Sequence, residues 1–106
     1  MTYYCGVYLG LTPNSGFVPH KFETIEQVML YVKSHLEWIK EKSYGVRVFT
    51  DEEVKVGKHY VPKRLLSWHR DGDECKGEIV NPSLGWRIYI DAAGNIAEEH
   101  FEPKGG

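Results

Sequence analysis

Residues 24–42, Thr24-Ile-Glu-Gln-Val-Met-Leu-Tyr-Val-Lys-Ser-His-Leu-Glu-Trp-Ile-Lys-Glu-Lys42, decide the fold. Ile25, Val28, Met29, Val32, Leu36 and Ile39 recur three and four residues apart, which aligns them on one stripe of a 3.6-residue helix. Thr24 followed by Gln27 is a capping-box start, and Lys40 and Lys42 complement the carboxyl end of the helix dipole. The pattern predicts one amphipathic helix over 24–42. Its stripe needs an apolar surface to lie on, and the chain on both sides of it reads as strands.

Upstream, Tyr3, Cys5, Val7 and Leu9 alternate with Tyr4, Gly6, Tyr8 and Gly10. The first set suits the face beneath the helix. The second, tyrosines separated by glycines, leaves flat room for a neighbouring ring or backbone. Leu11-Thr-Pro-Asn-Ser-Gly16 carries turn chemistry, and Phe17, Val18 and Phe22 lead into the helix. Downstream, Gly45 is available as a left-handed cap. Strands are predicted over 46–50, 65–70 and 78–81, with 54–62 either a short strand or an extended loop. Trp86, Ile88 and Ile90 alternate, Asp91-Ala-Ala-Gly-Asn95 turns at Gly94, and 96–101 returns. The tail from Glu102 is expected to fray. The fold class is therefore α+β: a single amphipathic helix packed on one face of a mostly antiparallel sheet, in the order strand, loop, helix, meander.

A chain of 106 residues makes one domain, 1–106, with room for a real core. Its 42% hydrophobic and 26% charged content is ordinary for a soluble globular protein, and a net charge of −2 gives no global attraction to nucleic acid or anionic membrane. No stretch approaches the roughly 18 apolar residues of a membrane span. Met1–Gly10 lacks the basic and long apolar regions of a signal peptide, so the expected location is cytoplasmic. Cys5 sits in an apolar alternating run, as a small buried hydrophobe does, while Cys75 lies in the polar loop Asp71-Gly-Asp-Glu-Cys-Lys-Gly77. Without a secretory signal both are expected to be free thiols, Cys75 accessible and Cys5 protected.

Aromatic residues make up 13% of the chain, rich for so small a domain, and they define two candidate surfaces. Tyr31, His35 and Trp38 form a wing beside the helix stripe. They either widen the buried face or, through Tyr31 and Trp38, line a groove or subunit interface. The other surface is the sheet face that a single helix leaves open. Tyr4, Tyr8, Phe49, Tyr89 and Phe101 share it if the alternation holds, a larger patch than an ordinary surface carries. A second copy of the chain, giving a homodimer, is the simplest partner to cover it.

Charge is uneven. Asp51, Glu52 and Glu53 precede a segment whose charges are all basic: Lys55, Lys58, Lys63, Arg64 and Arg70, interleaved with His59, Tyr60, Trp68 and His69. That is an anion-binding pattern, of the kind a single-stranded nucleic acid groove uses. Yet the acidic flanks Asp51–Glu53 and Asp71–Glu74 repel the same phosphates. His59, His69 and Cys75 are not at the short spacings of a metal site, and no metal or cofactor is assigned. Cys75 among acidic residues makes a poor thiolate nucleophile. Glu98 and Glu99 face opposite ways, whereas Glu98 and His100 share a face as a potential acid–base couple. No residue is assigned a catalytic role.

These readings converge on a small non-enzymatic interaction module, an inhibitor or accessory protein in kind. It is expected to bind a protein partner, or itself, through Tyr4, Tyr8, Tyr31, Trp38 and Tyr89. The alternatives are a nucleic acid module using 55–70, and an enzyme or enzyme accessory using His59, His69 and Cys75.

Overall fold

A computed structural model describes residues 1–10, 12 and 16–103. The chain order is β1 (Tyr3–Tyr8), β2 (Phe17–Phe22), α1 (Ile25–Ser34), α2 (Leu36–Lys42), β3 (Gly45–Val56), β4 (His59–His69), β5 (Lys76–Asn81), β6 (Trp86–Ile90) and β7 (Ile96–His100). The strands form one seven-stranded sheet in the order β2-β1-β3-β4-β5-β6-β7, every pairing antiparallel. The class is α+β. Leu11, most of the turn after it and residues 104–106 lie outside the described residues, and with them the expected loop centre and frayed end.

The helical stripe forms as two helices, not one. Thr24 caps α1: its Oγ1 accepts from Gln27 N at 3.2 Å, and Gln27 Oε1 accepts from Thr24 N at 3.3 Å. The break falls at His35, whose backbone leaves the helical region at φ −111°, ψ 7°. Ser34 Oγ donates to the Tyr31 carbonyl at 3.0 Å, and His35 Nδ1 lies 2.9 Å from the same oxygen. The same carbonyl still accepts the ladder bond from His35 N at 3.2 Å, and side chains that bond a preceding carbonyl in addition bend a helix. Periodicity alone does not register that crowding, because the apolar spacing continues through it.

Val28, Met29 and Val32 of α1 and Ile39 of α2 are fully buried, in one cluster with Cys5, Val7, Val46, Val48, Leu66, Ile79 and Ile88. The registers Cys5↔Val48, Val7↔Val46, Val48↔Leu66 and Ile79↔Ile88 put these strand residues on a common face. Leu36 is only half-buried, so the stripe is less evenly covered than its spacing implies.

Three further differences from the sequence reading matter for the site. Phe17–Phe22, expected as a lead-in to the helix, is the edge strand β2, paired with all of β1. Pro19 is tolerated there because an edge strand need not donate on both sides. Gly45 is not a left-handed cap; it opens β3, where a β-carbon would collide with the Trp68 carbonyl and the His69 ring. The end of α2 is closed instead by Arg70, whose Nη2 donates to the Lys40 carbonyl at 2.6 Å and whose Nε donates to the Ser43 carbonyl at 2.9 Å. Finally, 54–62 is neither an isolated strand nor a loop. It is the outer half of a long β3–β4 hairpin, closed by Gly57-Lys58 with Gly57 at φ +62°.

Among the described residues that outer half has no strand beside it, because β1 pairs β3 only over Gly45–Thr50 and β5 pairs β4 only at Leu66 and Ser67. The β3–β4 register slips on either side of Phe49. Such bulges bend a ribbon and raise its twist. The hairpin therefore leaves the sheet as a bent arm.

Candidate functional site

The site is built on the sheet face away from the helices, and it begins with a glycine. Gly6 has no side chain, and the ring of Phe17 from β2 lies in the space a β-carbon would occupy. Phe17 in turn packs on Tyr8 at 4.7 Å between ring centroids. Tyr4 stacks on Phe49 at 5.3 Å and 13°. Tyr8 also meets Tyr44 edge-on at 5.9 Å and His69 at 5.5 Å, and the Arg47 guanidinium lies 5.3 Å from its ring centre. Tyr4 and Tyr8, expected on an open face, are thus half-buried, each covered in part by rings of its own chain.

Between this face and the arm runs a groove of about 650 Å³. Its apolar lining comes from Phe17 and Phe49 on the sheet side and from Val54, Val56, Val61 and Pro62 on the arm. Val56 is 59% exposed and Val61 39%, costly placements that a two-stranded ribbon cannot relieve by itself. The charged lining is Arg47, Lys63, Arg64 and Lys76 against the single carboxylate of Glu74. Four cations to one anion reverse the sign of the chain, whose net charge is −2.

Glu74 holds two of those cations together. Its Oε2 accepts from Arg47 Nη2 at 2.8 Å and from Arg64 Nη1 at 3.1 Å, one oxygen held between two guanidiniums. Burial alone would raise its pKa. The charge and hydrogen bond of Arg64, followed by the charge of Arg47, outweigh burial and hold the carboxyl below its usual range. Glu74 is also the one non-glycine with positive φ among the described residues, at 55°. The left-handed region costs an L-residue roughly 1 kcal/mol.

The loop bearing Glu74 is pinned to β4. Ser67 Oγ donates to the Glu74 carbonyl, Cys75 Sγ lies 3.2 Å from His69 N, and His69 Nδ1 lies 2.8 Å from the Asp73 carbonyl. That last contact places the ring proton on Nδ1, since a carbonyl only accepts. Tyr44 donates to Asp71 Oδ2, and Asp71 Oδ1 accepts from Asp73 N at 2.9 Å. The Tyr44 hydrogen bond, with that from the Asp73 backbone, lowers the Asp71 pKa, and it pushes Tyr44 up to about 12.

The remaining sequence-derived candidates are dispersed. His69 and Cys75 are neighbours, but His59 sits at the far end of β4, ten residues and about 33 Å of strand away. The Cys75 thiol bonds backbone atoms of His69 and Asp73, so it forms no nucleophile–base couple with the His69 ring. Among the described residues no three His, Cys, Asp or Glu side chains gather as a metal site. Tyr31 packs against His35, His20 and Phe22 at 4.5, 5.1 and 5.3 Å, while Trp38 is 41% exposed. Tyr89 lies under the Arg87 guanidinium at 4.1 Å on β6, four strand positions from Tyr4 and Tyr8. His100 Nε2 is 3.9 Å from Glu98 Oε1, both at the exposed edge strand β7.

The basic segment is split. Lys63 pairs with Glu52 at 3.7 Å, Arg64 with Glu74, and Arg70 caps α2, while Lys55 and Lys58 stand on the arm without an ion-pair partner among the described residues. Phe17, Arg47 and Glu74 were not singled out by sequence. Arg47 carried a signal, a charge alternating with Val46 and Val48. Glu74 was legible only as part of the acidic flank Asp71–Glu74; its place between Arg47 and Arg64 was not, because the Arg47 contact spans 27 residues.

Comparison with protein-family models, curated proteins and solved structures finds no match to this chain. Among the described residues no helix is long and apolar enough to cross a membrane.

Proposed function

We propose that the protein is a small non-enzymatic interaction module, which docks a segment of a partner protein in the groove between the open sheet face and the β3–β4 arm. One observation carries the reading: exposed aliphatic side chains of the arm face Phe17 and Phe49 across about 650 Å³ whose charge is opposite to that of the chain. Concave apolar walls with a few convergent polar groups are what a recognition site needs. Rings on the sheet side supply large contact area at small entropic cost. A heterologous partner is favoured over a second copy, because Tyr4 and Tyr8 already have own-chain partners. Tyr31, Trp38 and Tyr89 lie outside the groove and contribute at most a rim.

The test is co-purification from native cells of the wild type and of the paired variant Val56→Asp, Val61→Asp, with light scattering on each. A stoichiometric partner lost from the variant supports the reading. An identical partner set, or a wild type of twice the chain mass that the variant splits, overturns it, the second in favour of self-association.

A second reading, single-stranded nucleic acid, is favoured by Lys55, Lys58 and the 64% exposed Tyr60 on the arm. It ranks lower because a single strand needs several cations in a row, whereas Arg70 is committed to the end of α2, Lys63 is paired with Glu52, and the acidic loop Asp71–Glu74 flanks the rest.

A further inference from the structure

We infer that the groove is a carboxylate-recognition site, in which Glu74 occupies in cis the seat taken by an Asp or Glu side chain of an extended, aliphatic segment of the partner. This rests on the groove being a protein-docking surface, and it specifies what docks there.

The seat is visible because it is filled. Arg47 from β3 and Arg64 from β4 converge on one oxygen of Glu74, at 2.8 and 3.1 Å. Two guanidiniums converging on a carboxylate form the strong, charge-assisted arrangement by which proteins read carboxylates. The occupant is not locked in. The Glu74 side chain is 46% exposed, so its carboxylate reaches water by side-chain rotation alone while the loop stays pinned to β4. A half-exposed ion pair offers little resistance to exchange for an external carboxylate. Lys63 and Lys76 line the same groove and add to the attraction for an acidic segment.

The shape selects a peptide over a free acid. The groove is open along one side, so an alkyl chain there would stay half wet, whereas an extended segment can turn alternate side chains inward and the others to water. Val54, Val56, Val61 and Phe49 meet the inward aliphatic residues, and the arginines meet an acidic one.

The probe is a matched set of capped pentapeptides with Val, Leu or Ile at positions one and five, Glu, Gln or Lys at position three, and Ser at two and four, so that the varied side chain shares the inward face with the aliphatic ones. Fluorescence polarisation reads binding to the wild type, Glu74→Gln, Arg47→Gln/Arg64→Gln and Val56→Asp, each checked for folding by its thermal transition. The inference expects binding of the Glu peptides in preference to Gln and Lys. Glu74→Gln should tighten it roughly two- to fivefold, the range one exposed charge pair supports. The double arginine variant should lose the Glu-over-Gln preference. If that variant does not fold, Glu74→Gln still decides: unchanged or weaker binding of Glu peptides overturns the inference. Equal binding of Glu and Gln peptides, abolished by Val56→Asp, overturns the carboxylate seat and leaves the docking groove standing. Absence of binding throughout, or binding indifferent to Val56→Asp, overturns both.

Discussion

The Phe17 ring lies where a side chain on Gly6 would be, so a residue of β2 fills the one gap in the open face of β1. The contact fixes the inner wall of the groove and the edge of the sheet together. Gly6→Ala is expected to destabilise by about 1–3 kcal/mol, the usual cost of forcing extra volume into a packed site. Phe17→Ala should remove most of that penalty, because the two changes act on one contact. Urea denaturation of the four members of this cycle checks it, and additive effects would show that the ring and the glycine are independent.

Burial separates two residues that sequence spacing treats alike. Ile39 is fully buried and Leu36 half-buried. Ile39→Ala is expected to cost about 2–5 kcal/mol, the range for a core aliphatic, and Leu36→Ala clearly less. Denaturation midpoints with a common slope compare them directly. Equal losses would mean that α2 packs more deeply than its break at His35 allows.

Which parts of this architecture were legible follows from where each signal resides. The apolar stripe and Thr24–Gln27 cap of α1, the β1 alternation as far as Tyr8 and the Gly94 turn are local patterns, and they appear as read. Leu9, expected on the face beneath the helix, instead lies past the end of β1 and is exposed. The break at His35 falls where two side chains crowd one carbonyl, which spacing does not encode. Edge strand β2 carries Pro19, His20 and Lys21 between its phenylalanines and so lacks an apolar period. The arm buries neither face fully, which leaves Val54–Val61 without a strand signature. The groove is the joint product of β2 and the arm, and so the sequence exposed its rings but not its shape.

The two thiols should separate by access. Cys5 is fully buried and Cys75 half-buried, and both are free. A thiol reagent added to the native protein should modify one site quickly, identified as Cys75 by peptide mass, and the second only on unfolding. Simultaneous loss of both signals would place Cys5 within reach of solvent by local opening.

Alkaline pH should unfold the protein ahead of the general loss of charge balance. Burial pushes the Cys5 thiol up to about 12, and the hydrogen bond to Asp71 pushes Tyr44 up to about 12. Both shifts favour the protonated form in the fold. Their stabilisation is therefore complete below the unfolded values, roughly 8.5 for cysteine and 10 for tyrosine, and is lost as pH rises toward 12. Urea midpoints should begin to fall from about pH 9, and in Cys5→Ala the fall should begin only near the tyrosine value. A midpoint that is flat to pH 11, or unmoved by Cys5→Ala, would remove these groups from the account.

The arm gives the sharpest separation between docking a protein and binding nucleic acid. Were Lys55, Lys58, Lys63, Arg64 and Arg70 a common phosphate surface, affinity for single strands would fall steeply with salt, with a slope set by the phosphates neutralised. Bases stacking on Tyr60 would quench its emission. Neither is expected. Arg70 is committed to the end of α2 and Lys63 is paired with Glu52, which leaves two lysines on the arm separated from Arg64 and an acidic loop beside the groove. A titration with mixed oligonucleotides at about 50 mM salt, where electrostatics are little screened, is therefore expected to show no saturable binding. Micromolar saturation that weakens in Lys55→Gln/Lys58→Gln, with tyrosine quenching, would put nucleic acid recognition ahead of protein docking. It would also predict that Glu74→Gln strengthens binding of phosphates as well as carboxylates, which the pentapeptide experiment and this titration together distinguish.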